Sequence, residues 1–411
     1  MQKNIHTILD KNVSPERAFF ANLLNLDSDN VHIDPCQTAI RQVKCFSSGA
    51  ISRVDKVERR SLSLGETKTY AEKNFLIDTR DTLLEIDKEK RPLANVIQRS
   101  TWIENLQKLL GYERSYVVPY SAHVSKEADG VYKLQMQSPW ISGRTYCELA
   151  EEKASDISLG GMTRIEFEKT WKNWSHVQRR KFIGEFLYKS IQVDILMYLA
   201  GKSDHHAMNT MFQLDDGGMP SVIAIDNGKA FDVNVRGWSR YLVRHEKDPQ
   251  ADLQTELAKA GFEIELCPNY DYFVCIPPEG LHAPELMDRL AHAVGVTRMF
   301  TPYTIDQKSA RQVLKLYSMY KKTEGQDQLR AMFNGISDEE FMAFGDRLTS
   351  LGELISMSGL DVCYTRKEFD NEAVQNDIIM GARDCDERCM SPLVSAINYI
   401  VSLRRRNEMQ A

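Results

Sequence analysis

A chain of 411 residues is too long for one minimal core, and 42% apolar with 27% charged residues is an ordinary globular balance. A net charge of −6 and a pI near 5.9 argue against general nucleic-acid binding and leave only local basic patches to consider. No apolar run reaches the ~18 to 20 residues of a membrane-crossing helix, and the first twenty residues lack the apolar core and cleavage site of a Sec leader.

Taken in chain order, residues 1–39 read as an N-terminal extension. "IRQVKCFSSGAISRVDKVERRSLSLGETKTYAEKNFLID" (40–78) alternates polar and apolar residues around two glycine-bearing turns and predicts three antiparallel strands. "LANVIQRSTWIENLQKLLG" (93–111) then places Val96, Ile97, Trp102, Ile103, Leu106, Leu109 and Leu110 at helical spacing, with Gly111 as the stop. Two further strands follow around an Asp-Gly turn, then a connector and a helix start. The helix predicted over 176–201 is apolar on several faces, as a helix at a domain centre would be. "MFQLDDGGMPSVIAID" reads as a hairpin turning on Asp-Gly-Gly. Beyond residue 250 the pattern is helical, at about 251–260, 283–294, 305–321, 324–334, 338–358 and 391–406. The expected class is α+β: a small five-stranded antiparallel part over 1–138, a core over 139–250, and a helical part over 251–411.

Chemistry concentrates in "GKSDHHAMNTMF" (201–212) and "VIAIDNGKAF" (222–231). A transition-metal site, a structural turn and a phosphotransfer site all compete for these residues. Adjacent His205 and His206 diverge in any regular structure and suit a hard magnesium ion poorly. Asp204, Asn209 and Asp226 instead form the set that phosphoryl transfer uses. One carboxylate orients the attacking hydroxyl, while an amide and a second carboxylate supply oxygen ligands for a divalent cation. As a structural turn, Asp204 would be a cap and His206 a buried, hydrogen-bonded ring.

Context favours phosphotransfer. "SDHHAMN" is similar to the D-x-H-x-x-N catalytic loop of phosphatidylinositol 3- and 4-kinases and HipA-type kinases. "VIAIDNGKAF" is similar to the I-D-F-G metal-binding segment of the lipid kinases, with Asn227 in place of Phe. Upstream, "SSGAISRVDKV" (47–57) resembles a degenerate glycine-rich loop holding only Gly49, and "GETKTYAEKNF" (65–75) resembles the strand carrying an A-x-K lysine. "YKLQMQSPWISGRTYCEL" resembles the fifth strand, hinge and next helix. The chain thus resembles an atypical protein-kinase-like fold over roughly 40–235, with two lobes and a helical C-terminal extension. No A-P-E segment follows Asp226.

The resemblance implies ATP with Mg2+ or Mn2+ as cofactors. It gives Asp204 and His206 catalytic roles, Asn209 and Asp226 the metal, and Gly49, Lys73, Glu104 and Gln137 the nucleotide. Within that set Glu104 is the candidate ion-pair partner of Lys73, and main-chain groups from Gln137 to Trp140 would meet the adenine. The expected acceptor is a protein or lipid hydroxyl. Basic runs at 88–91, 179–181, 320–322 and 403–406 suggest a polyanion activator such as an inositol phosphate or phosphoinositide, against the plainer reading as solvated helix faces. A pseudokinase that only binds, and a kinase-fold enzyme that transfers AMP, are the rival readings. The eight cysteines, Cys36, Cys45, Cys147, Cys267, Cys275, Cys363, Cys385 and Cys389, contain no CxxC pair. Reduced thiols and a cytoplasmic setting are expected, including the host cytosol if a dedicated bacterial export system carries the protein there.

Overall fold

The computed structural model describes residues 17–18, 21, 29, 31–34, 38–46, 54–61, 67–75, 83–113, 116–126, 132–150, 158–202, 205, 209–233, 235–236, 241–244, 255, 258–259, 261–266, 272–276, 305–384, 397–401 and 403. The chain is α+β and divides into two compact units, residues 1–101 with 118–140 and residues 102–117 with 141–411.

The first unit is built on one sheet of β1 (Val31–Asp34), β2 (Thr38–Phe46), β3 (Val54–Ser61), β4 (Thr67–Phe75), β5 (Ser121–Lys126) and β6 (Tyr132–Pro139). Their order is β1-β5-β6-β4-β3-β2. Strands β2 to β6 occupy the five stretches that the alternation marks, each antiparallel to its neighbours. The expectation of a purely antiparallel five-stranded sheet is nevertheless corrected: β1, from the N-terminal extension, joins β5 in parallel, and the sheet is mixed. A parallel partner is joined by a long crossover and leaves no turn signature in the sequence, which is why this strand goes unread.

Helix α1 (Leu83–Leu109) follows β4 and begins well before the expected start, carrying Pro92 within it. The stretch before the proline is rich in Glu and Lys, both good helix formers. In its first-unit part Ile97 is fully buried, and the Ser100 hydroxyl donates to the carbonyl of Val118 at 3.0 Å.

The second unit centres on α4 (His176–Leu199). It is preceded by β7 (Arg144–Thr145), α2 (Tyr146–Ala150) and α3 (Arg164–Asn173). Ser175 starts α4 with a capping box closed by Gln178. Phe182, Ile183, Phe186, Leu187, Ile191, Ile195, Leu196 and Leu199 are all buried, on every side of the helix. Phe182 packs among Phe167, Trp171 and Trp174, and Phe186 meets Phe212 edge-on at 5.1 Å. Gly184 lets another segment approach: a Cβ built there would run into the main-chain oxygen of Phe369.

After α4 come β8 (Thr210–Leu214) and β9 (Pro220–Ala224), the expected hairpin, which with β7 forms a three-stranded sheet. Helices α5 (Gln307–Tyr320), α6 (Thr323–Ala331) and α7 (Asp338–Ser358) match the predicted helical stretches closely, and α8 (Glu372–Asp384) adds one that was not expected. Residues 251–411 are not wholly helical. A second antiparallel sheet of β10 (Tyr241–Arg244), β12 (Tyr272–Ile276) and β11 (Glu263–Leu266) reaches into that region. Strands of four or five residues are too short to outweigh the helical signals around them. The helix expected at 283–294 lies outside the described residues.

Candidate functional site

The β8–β9 hairpin organises the site. Strand burial alternates along both strands, so Thr210, Phe212 and Leu214 face the core with Pro220, Val222 and Ala224. On its other side β9 is held by Tyr116: the Ala224 amide donates to the Tyr116 carbonyl at 2.8 Å, and the Tyr116 hydroxyl donates to Gln192 of α4 at 2.6 Å. At the open end of the hairpin the Ile225 amide donates to the carbonyl of Asn209 at 2.9 Å. Asn209 therefore opens one strand directly opposite the residue before Asp226. Two residues seventeen positions apart in sequence are brought to one edge of one small sheet.

Asp226 has φ 52° and ψ 67°, left-handed values that a non-glycine residue adopts at a cost of about 1–2 kcal/mol. Its side chain does not cap the short 3₁₀ turn Asn227–Lys229 that it precedes. Phe231 is the other described non-glycine residue at positive φ, 55°. Its surroundings hold it there. The ring is fully buried, edge-on to Trp102 at 5.1 Å and to Phe333 at 5.4 Å, and the amide donates to the Ala200 carbonyl at 2.5 Å. Burying a Phe ring gives about 1.5–3 kcal/mol, enough to outweigh that strain. Between the two, Asn227 is completely buried, and neither polar atom of its amide has a partner among the described residues.

The two ends of the loop are stitched together. Alongside the Phe231 bond, the Asp232 amide donates to the carbonyl of Gly201 at 3.2 Å, and buried Lys202 sends its ammonium to the carbonyl of Ile225. His205 turns back toward α4, its Nε2 2.8 Å from Asp194 Oδ1. This histidine serves the frame of the loop and not its open edge.

The other expected residues are placed as follows. Asp204, His206 and Gly49 lie outside the described residues. Lys73 sits in β4 opposite Val54 and Met136, and its side chain is not among those described. Gln137 lies in β6 between β4 and β5, buried, and its amide donates to Glu72 at 2.7 Å. Glu104 is half-buried on α1. Burial raises its carboxyl above the ordinary range, and Lys108 one turn on draws it back. Of the basic runs, Arg179 is spent on the end of α3, donating to the carbonyls of Trp171 at 3.0 Å and Lys172 at 2.8 Å. Lys321 lies over the ring of Tyr317, 4.2 Å from its centre.

The residues that sequence reasoning passed over are Lys202, Asp194 and Arg347. Lys202 and Arg347 are fully buried and Asp194 nearly so, yet each reads in the sequence as an ordinary charged residue with no local pattern to mark it.

Asn209 and Asp226 carry an amide oxygen and a carboxylate, the kind of hard donors that magnesium or manganese accepts. Among the described residues, no group of three or more His, Cys, Asp or Glu is placed to hold a metal ion by itself. No described helix is long and apolar enough to cross a membrane. No protein-family model matches the chain, and no curated protein matches it.

Proposed function

We propose that this protein is an atypical kinase with a bilobal, protein-kinase-like fold, moving a phosphoryl group from ATP to a hydroxyl on a protein or lipid. The observation that supports it best is the hairpin edge. Asn209 and Asp226, both expected as metal ligands, open and follow paired strands, and Asp226 stands in a backbone conformation of the kind that clusters at functional sites.

In this reading Asn209 and Asp226 hold Mg2+ or Mn2+, which would neutralise charge on the nucleotide phosphates. Asp204 orients the acceptor hydroxyl and takes its proton, and His206 steadies the loop or the phosphoryl group. Lys73 grips the phosphates with Glu104 as its partner, while Gly49 and the main chain from Gln137 onward border the nucleotide. A polyanion activator and a setting in the cytosol, the host cytosol included, belong to the same proposal.

Parallel incubations with γ-labelled and α-labelled ATP test it. Label from the γ position on product supports the reading, and label from the α position replaces it with adenylyl transfer. With neither label transferred in the presence of inositol phosphates and host extract, the fold would serve binding alone. Asp226→Ala should remove turnover. If turnover persists undiminished, the site is wrongly assigned.

A further inference from the structure

Arg347 stands on α7 three residues after Phe344 and four before Leu351, inside the apolar stripe that this helix turns to the core, and it is fully buried. A cation in such a place costs a great deal unless it is held by good acceptors. Burial draws its pKa down to about 10, so it remains charged at neutral pH. Its acceptors are main-chain carbonyls from two separate segments. Nε donates to Leu199 at 2.9 Å, and Nη1 donates to Val235 at 2.5 Å and Asp232 at 3.4 Å.

Those segments are the two ends of the site loop. Leu199 closes α4 just before Gly201 and Lys202, and Asp232 and Val235 follow Asp226 and Phe231. Gly201 reports the same clamp from the opposite side. It has φ +58°, and a Cβ built on it would overlap the guanidinium. Nη2 is buried without a partner among the described residues, so the fork is not fully spent on structural bonds.

We infer that Arg347 is a positioning residue for the site: its guanidinium locks the two ends of the 199–235 loop together, so that Asn209 and Asp226 stay in register at the hairpin edge. The inference rests on the proposed kinase reading for its catalytic consequence, but the clamp itself is a claim about the loop. A flat fork with several fixed donors spans three carbonyls on two segments, whereas an ammonium gathers its three donors at one point and lacks the spread of that fork. Through this contact α7, far downstream in sequence, governs a site to which it contributes no ligand.

The test uses the full chain and Arg347→Lys, with amide hydrogen exchange resolved by residue. The amides of Phe231 and Asp232, bonded across the loop ends, should exchange roughly tenfold or more faster, because a charge-assisted bond has been lost locally. The amides of Gly218 and Met219 at the far turn of the hairpin, which bond within that turn, should not change. Turnover should fall through kcat with little change in KM for nucleotide, and millimolar guanidinium ion should restore part of it in Arg347→Ala. If Arg347→Lys does not fold, Gly201→Ala, which crowds the guanidinium, carries the same exchange signature. Unchanged exchange at Phe231 and Asp232, or equal acceleration at every amide, overturns the clamp. Wild-type protein that transfers neither label would overturn the kinase reading while the exchange result still decides the clamp.

Discussion

Replacing Lys189 by Met is a direct test of how β9 is held in place. The Lys189 side chain is 2% exposed, and its ammonium donates to the carbonyl of Pro220, the first residue of β9, at 2.5 Å. It also lies 2.9 Å from Glu185, one turn back on α4. Methionine keeps most of the stem but leaves the Pro220 oxygen unsatisfied, a loss of about 1–3 kcal/mol for a buried acceptor. Stripping one partner from a buried ion pair ordinarily costs about 3–5 kcal/mol. Here Glu185 keeps Arg366 at 2.5 Å and is itself only partly enclosed, so that contribution is well below its full value. Together the loss should be about 2–4 kcal/mol. Urea unfolding followed by tryptophan fluorescence measures it, because four of the five tryptophans, Trp102, Trp171, Trp174 and Trp238, fall within the second unit. Glu185→Gln in the same background should cost less than it does alone, with a coupling of about 1–2 kcal/mol. A loss below about 0.5 kcal/mol at unchanged m-value would refute the view that this ammonium anchors the strand.

Four other outcomes are expected. Gly184→Ala should destabilise by about 1–3 kcal/mol, against the gain of roughly 0.5–1 kcal/mol usual inside a helix, because the new methyl meets the Phe369 oxygen; calorimetry gives the sign directly. Burial pushes the Glu185 carboxyl up, but hydrogen bonds and charge from Lys189 and Arg366 outweigh it and set the group below its ordinary 4.5. Its contribution is therefore complete above that value and is lost as pH falls through the lower folded-state pKa; the Lys189→Met protein should show a shallower acid loss in urea titrations from pH 6 to pH 3. Ser337→Ala removes the hydroxyl that accepts from the Glu340 amide at 3.2 Å in the capping box of α7 and should cost about 1 kcal/mol in thermal unfolding. Asn209→Ala should weaken Mn2+ binding, read by electron paramagnetic resonance with nucleotide present, by about tenfold or more, with the melting temperature little changed.

Much of the backbone was legible because its signals are local. The alternation of 40–78, the Asp-Gly-Gly turn and the apolar runs of α4 and α7 each fix an element by periodicity. Val31–Asp34 was not legible, since its place beside β5 depends on pairing across some ninety residues and nothing near it announces a partner. Helix α3 carried a readable capping signal in Thr163 and Glu166 and was passed over because its apolar face holds only Phe167 and Trp171 between charged residues. Residue types and spacing singled out Asn209 and Asp226 as candidates, and the hairpin brings their main chains to one edge. The side chains that support them, Lys202, Asp194 and Arg347, look in sequence like ordinary surface charges. Only burial distinguishes them, and burial is a property of the assembled chain.

The stretch from Ala200 to Asp232 leaves and returns to nearly one point, closed by amide-to-carbonyl bonds at its base, while the hairpin turn at its tip exposes Asp215, Asp216 and Gly217. Five residues of strand separate tip from base, about 17 Å. Lengthening a flexible turn costs little, and the base bonds do not depend on what the tip contains. A fluorophore or short peptide grafted between Asp216 and Gly217 would thus ride on the same lever as Asn209 and Asp226 without touching them. The hairpin turn thus offers an attachment point for an optical readout of that edge.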